Sequence, residues 1–392
     1  MTKSRFLRWG IPLLLLAVFV LFILWINRGE RIALVNREGQ TFEKGVVTEI
    51  LQDNLQPDGS RVGEQRVLVR MTTGVRAGQE LETTSSSGFL FGAGCTVGMR
   101  VIVMQSVAGD STITSVYAQD REWVIYAFAA AYLLILCLVG GKQGLKGALG
   151  LVFTFFCILF VYLPLVYRGW SPFWVAVVIC IITTLVTMYL IGGPTQKTLV
   201  ATAGTVAGVI IAGVAATLFS LASGITGWNV SDIESLLTLS STSGVQVGGL
   251  LFSGLLISSL GAVMDVAMSI GSAIAELHAQ NPAISRRALF KAGMHVGRDM
   301  MGTDSNTLIL AFAGGSVSML VLDYAYDLPY QQIINSNNIG IAVMQGLSGS
   351  FGIVLAVPVT VALAVLLYTR QAPVKEEQEI NGGNRAVKKE NG

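Results

Sequence analysis

Asp265 stands in "SSLGAVMDVAMSIGSAIAELH", residues 258–278, an otherwise apolar run. A carboxylate in such a run costs about 2.5–3.5 kcal/mol on insertion scales, so a partner, a proton or a solute must offset it. At helical spacing Gly254, Ser258, Gly261, Asp265, Ser269, Ser272 and Glu276 share one side. Small residues there let a neighbouring helix approach closely, and polar ones can bond across the contact. The stripe is therefore expected to face protein or a water-filled cavity, not lipid. Partners come from "SRRALFKAGMHVGRDMMGTDSNTLILAFAGG", residues 285–315, in which His295, Asp299, Gly302 and Asn306 recur on one side. Arg298 can reach back towards Asp265 or Glu276. The expected arrangement is an ionised Asp265 paired with Arg298, with Ser269 and Asn306 completing its hydrogen bonds. Asp299, Asp304 and Thr307 belong to the same polar set. "GTDSNT" (302–307) reads as a loop or broken helix entering the membrane, because five polar side chains follow a glycine there.

The elements that must position these residues follow from composition. The chain is 52% hydrophobic and 13% charged, with a mean hydropathy of +0.63. A soluble protein carries about 25% charged residues, so this is a membrane protein. Residues 11–26 form an apolar run after Lys3, Arg5 and Arg8 with no small-x-small cleavage signal, and read as a signal anchor. Seven further apolar runs are long enough to span, at 123–139, 145–167, 173–191, 199–221, 245–268, 308–322 and 339–368. The expectation is an α-helical integral membrane protein of about eight transmembrane helices. Segments 1–27 (tail and anchor), 28–121, 122–369 (seven-helix membrane domain) and 370–392 (polar tail) are its parts. With the N-terminus inside, the inner segments hold fifteen Lys and Arg, whereas the short outer loops hold only Arg168. That bias places both termini in the cytoplasm. Between the first two helices, "FEKGVVTEIL", "QRVLVRM", "GQELETT", "GMRVIVM" and "STITSVYA" alternate with period two. Five short half-buried strands suit a small extracytoplasmic β-barrel of the OB type. "GPTQKTL" at Gly193 echoes "GTDSNTL" at Gly302, and both are expected to begin outward-running helices.

Several chemistries are absent from the sequence. His278 and His295 are the only histidines, and no HExxH or CxxC spacing occurs, so neither a metal nor a cofactor is expected. No P-loop, dinucleotide fingerprint or Ser-His pairing is present, and no GxGD accompanies Asp265 and Asp299, so an enzyme is not expected. The chain lacks a basic stripe with interleaved aromatics and is expected to bind no nucleic acid. Plain structural roles compete at each remaining residue. A register-setting salt bridge accounts for Asp265 as well as a solute or proton path does. Capping accounts for Asn306 and Thr307, and attraction to anionic lipid for the basic run at Arg286.

"GAVMDVAMSI", "GMHVGRDMMGT", "SNTLILAFAG", "GGPTQKTL" and "GSFGIVLAVPVT" resemble the YibE/F-like family of bacterial multi-spanning proteins, over residues 123–368. The resemblance implies a protein of the bacterial cytoplasmic membrane. Asp265, Arg298, Asp299, Asn306 and Thr307 fall on its motif positions. Asp304 stands where an apolar residue is usual, and Ala342 and Gln345 where charged ones are. The lipid bilayer is the expected partner, and a homo-oligomer and a hetero-complex with another YibE/F-like chain are both possible. A transporter-like permease or channel, with a polar site near the cytoplasmic side of the sixth and seventh helices, is the expected function. The alternative is a scaffold subunit whose outer β domain binds a cell-envelope partner.

Overall fold

The computed structural model describes residues 17–28, 39–86, 92–108, 111–230 and 233–369. The basic N-tail, the first part of the anchor run and the polar tail lie outside the described residues. The chain divides into two compact units, Ala33–Val139 on the one hand and Met1–Ile32 with Gly140–Gly392 on the other.

Period-two alternation produces the first unit. Its strands are β1 (Gln40–Gln52), β2 (Glu64–Met71), β3 (Glu80–Ser86), β4 (Arg100–Ala108) and β5 (Ser111–Gln119). They close into a barrel in the order β1-β2-β3-β5-β4, as the sequence leads one to expect of five short strands. β1 pairs antiparallel with β2 (Val47 opposite Val69) and with β4 (Lys44 opposite Ile102). Val47, Val67, Val69, Met71, Cys95, Val101, Val103 and Val116 fill the interior. Gln65 also points inward. Its Nε2 donates to the Cys95 carbonyl at 3.1 Å, and its Oε1 accepts from the Cys95 N–H at 2.8 Å. Two good hydrogen bonds are what make a buried amide tolerable. The barrel leads into residues 122–139, the opening part of an apolar helix.

The second unit is helical. α1 (Ala17–Asn27) is held by Asn27, whose Nδ2 donates to the Phe160 carbonyl at 3.0 Å. Arg168 also holds it, donating to the Ile26 carbonyl at 2.5 Å and lying 5.4 Å from the Trp25 ring centroid. α2 (Glu122–Cys157) breaks at Gly141, where φ is 53° and ψ −132°. A π-turn (Ile158–Tyr162), α3 (Leu163–Tyr167), α4 (Pro172–Gly192), α5 (Gln196–Ser223) and α6 (Ile233–Ser243) follow. Then come α7 (Leu250–Gln280), α8 (Arg286–Gly315), α9 (Val317–Ala325), α10 (Tyr330–Ile334) and α11 (Asn337–Thr369). Among the described residues five helical stretches are long and apolar enough to cross a membrane, or six when the pair α8–α9, bent by 55°, counts as one. The expected separation of the runs 123–139 and 145–167 falls at Gly141, where two helices meet at a kink. α6 and α10 are helices where the sequence suggested loops.

α11 sits centrally, packed on α5, α7 and α8. Small residues make this possible. A Cβ at Gly352 would lie 2.7 Å from the Gly208 carbonyl, and one at Gly208 would lie 2.5 Å from Val263 Cγ1. Gly204, Gly208, Ala212 and Ala216, a small residue at every fourth position of α5, are all buried. Val263, Val266, Ile270 and Ile274 of α7 meet Leu289 and Leu308 of α8 and Ile353, Val357 and Val361 of α11 in one cluster. Close contact of small residues, not a hydrophobic drive, is what holds helices together in lipid.

Candidate functional site

α7 and α8 run antiparallel. Gly293 lies against Ile274 and Gly297 against Ile270, and both glycines are buried. Carried onward, that register brings Asp265 level with Gly302 and Thr303. The bulky branched side of α7 is the one that packs inward. The small and polar stripe lies on the opposite side. Gly254, Ser258, Gly261, Asp265 and Glu276 are exposed in the single chain, and Ser269 and Ser272 are half-buried. A Cβ at Gly254 or Gly261 would meet nothing within 4 Å. Most of the stripe thus faces away from the described helices of its own chain.

α8 presents a matching open side. Asp299, Gly302, Thr303, Asn306 and Thr307 are all exposed, and a Cβ at Gly302 would also meet nothing within 4 Å. The helix starts at Ser285, whose side chain accepts from the Ala288 N–H at 3.2 Å. It then continues through residues 302–307 without interruption. "GTDSNT" is therefore no loop, and Asn306 and Thr307 are not caps. Thr307 satisfies its hydroxyl inside the helix by donating to the Thr303 carbonyl at 2.9 Å. The break falls further on, at Ser316 after Gly314 and Gly315. Gly/Ser pairs are ordinary places for a helix to bend. "GPTQKTL" does begin a helix, with Thr195 as N-cap to Thr198. The echo with "GTDSNTL" is thus one of sequence, not of structure.

The expected pair is not formed. Among the described residues the ion pairs are those of the barrel unit and His295 with Asp299, 3.5 Å apart on α8. Arg298 is exposed and makes no ion pair with Asp265. The α7–α8 register places Asp304 within a turn of the level of Asp265. Asp304 is half-buried and its Oδ2 has no hydrogen-bond partner, as is also true of Ser305 Oγ. Glu276 lies away from this seam, accepting from Gln280 Nε2 at 3.0 Å. The structure therefore brings Asp265, Asp304 and the exposed Thr303–Asn306 side together, and leaves Arg298, Asp299 and Glu276 at the periphery.

Serines in α11 were not among the expected site residues. Ser348 and Ser350 are buried behind the seam. Ser350 donates to the Gly346 carbonyl at 2.8 Å and approaches the Ser305 carbonyl at 3.4 Å. The signal was the small-residue run "GLSGSFG" at 346–352, whose glycines admit α8. A Cβ at Gly349 would lie 2.5 Å from Leu308 Cδ2.

The family described as YibE/F-like protein matches residues 128–370. The chain belongs to the YibE/F-like family. That span takes in α4 to α11, hence the whole polar seam of this YibE/F-like protein. Neither a curated protein nor a solved structure matches the chain.

Proposed function

We propose that this YibE/F-like protein is a transporter-like permease or channel of the bacterial cytoplasmic membrane, for a small solute or ion. In this reading it has eight spans, both termini are cytoplasmic, and the barrel lies outside. The observation that carries the proposal is the seam of Asp265 and Asp304, with which no cation among the described residues forms an ion pair. A carboxylate left open to hydrocarbon is costly, so water, a second protein surface or a bound cation must meet it. Carboxyls on two packed helices offer a cation or a proton something to bind, and Thr303 and Asn306 line the open side beside them. The open face is closed in the bilayer by protein, either a second copy or another YibE/F-like chain. Such a site needs no cofactor and no covalent chemistry.

The test is current across proteoliposome membranes, screened over a panel of ions and small solutes. A current that Asp265→Asn abolishes, while thermal stability stays within error of wild type, supports the reading. If no solute gives a current, or if Asp265→Asn and Asp304→Asn leave the current unchanged, the transport reading fails.

A further inference from the structure

The barrel unit contains a recess that the membrane seam does not use. It has a volume of about 480 Å³, and Lys44, Arg100, Asp120, Glu122, Trp123 and Tyr126 give it its chemistry. The size suits a small molecule or a headgroup. The charge pattern is the informative part, because two cations and two carboxylates line one recess and balance each other. The Lys44 ammonium bonds the Glu122 Oε2 and stands 3.8 Å from Asp120 Oδ2. The Glu122 hydrogen bond pushes Lys44 above the ordinary lysine range, so it stays charged. Asp120 is a built-in feature, not a stray surface acid. Its side chain is only 8% exposed, and Oδ1 accepts the Glu122 N–H at 3.1 Å. The Asp120 N–H in turn donates to the Arg100 carbonyl at 2.9 Å, tying the carboxylate to β4. Arg100 makes no ion pair among the described residues and is exposed.

Position supplies the second argument. Trp123 and Tyr126 occupy the first turns of an apolar helix and are 60% and 66% exposed. Exposed Trp and Tyr at the start of a span form the belt that sits at headgroup level. A recess lined by these two rings thus opens where membrane meets water. An anionic ligand there would face Asp120 and Glu122, and a cationic one would face Lys44 and Arg100. A ligand carrying both signs meets neither repulsion.

We propose that the recess binds the headgroup of a zwitterionic phospholipid, with the phosphate diester at Arg100, the ammonium at Asp120 and Glu122 Oε1, and the glycerol end along Trp123 and Tyr126. Bidentate contact of a guanidinium with phosphate suits Arg100. This inference is independent of whether anything is transported and of the side on which the barrel lies.

Native mass spectrometry of the full-length protein, from micelles doped with phosphatidylethanolamine or phosphatidylglycerol, tests it. Wild type should retain phosphatidylethanolamine at least tenfold more than phosphatidylglycerol at equal concentration. Arg100→Gln should lower that retention at least tenfold with an unchanged circular dichroism spectrum. Glu122→Lys gives the recess a surplus of two positive charges and should reverse the preference to phosphatidylglycerol. Equal retention of the two lipids by wild type, or retention unaffected by Arg100→Gln, would overturn the proposal. So would soluble glycerophosphoethanolamine, or an oligosaccharide, binding more tightly than the lipid.

Discussion

The crossing of α5 and α11 gives the sharpest numerical prediction. Gly352→Ala adds one methyl group at a point where a Cβ would lie 2.7 Å from the Gly208 carbonyl and 2.9 Å from Ala212 Cβ. The nearest atom is backbone, so no side chain can swing aside, and the two helices must separate. Overpacking of this kind costs about 1–3 kcal/mol. Gly261→Ala is the matched control. It adds the same methyl group to α7, but nothing lies within 4 Å of the new Cβ. Relief of the glycine's unfavourable helix propensity should then leave stability unchanged or raise it by up to about 1 kcal/mol. Equilibrium unfolding of monomeric, detergent-solubilised full-length protein, titrated with SDS and followed by far-UV circular dichroism, compares the two. Gly352→Ala as stable as wild type would refute the close crossing. Losses of equal size in both variants would refute the openness of the α7 face.

Cys95 is wholly buried, and burial pushes its thiol above the ordinary cysteine range. Its thiolate is accordingly scarce at neutral pH, so maleimide labelling of Cys95 at pH 7 should be negligible in the folded barrel and complete after denaturation. Rapid labelling of the native protein would contradict the barrel core. On topology, cysteines placed at Ser60 and Thr238 should react with impermeant reagent from outside, and those at Gln143 and Gln280 only from inside. Outside labelling of position 280 would sink the eight-span arrangement.

The sequence by itself determined the membrane class, the five strands, the start of a helix within "GPTQKTL" and the presence of a polar set on two consecutive helices. Those features depend on local composition and on period, which need no knowledge of neighbours. Tertiary structure alone decided which side of α7 is buried. In water an amphipathic helix must turn its polar side out, but lipid is as apolar as a core, so periodicity does not distinguish packed from open faces. The branched side, Val263 to Ile274, fits the holes between α5, α8 and α11, and the polar stripe is left on the open side. The same reasoning explains Asp265. Spacing along the chain allowed Arg298 as its partner, whereas the α7–α8 register set by Ile270 against Gly297 brings Asp304 to it instead. The inward Gln65 was equally hidden, since its acceptability depends on two hydrogen bonds to a loop thirty residues away. Helix continuity through 302–307 was decided by packing too. Leu308 seats against Gly349 of α11 and Ser305 approaches Ser350, contacts that outweigh the local preference of Gly, Thr, Asp, Ser and Asn for a turn.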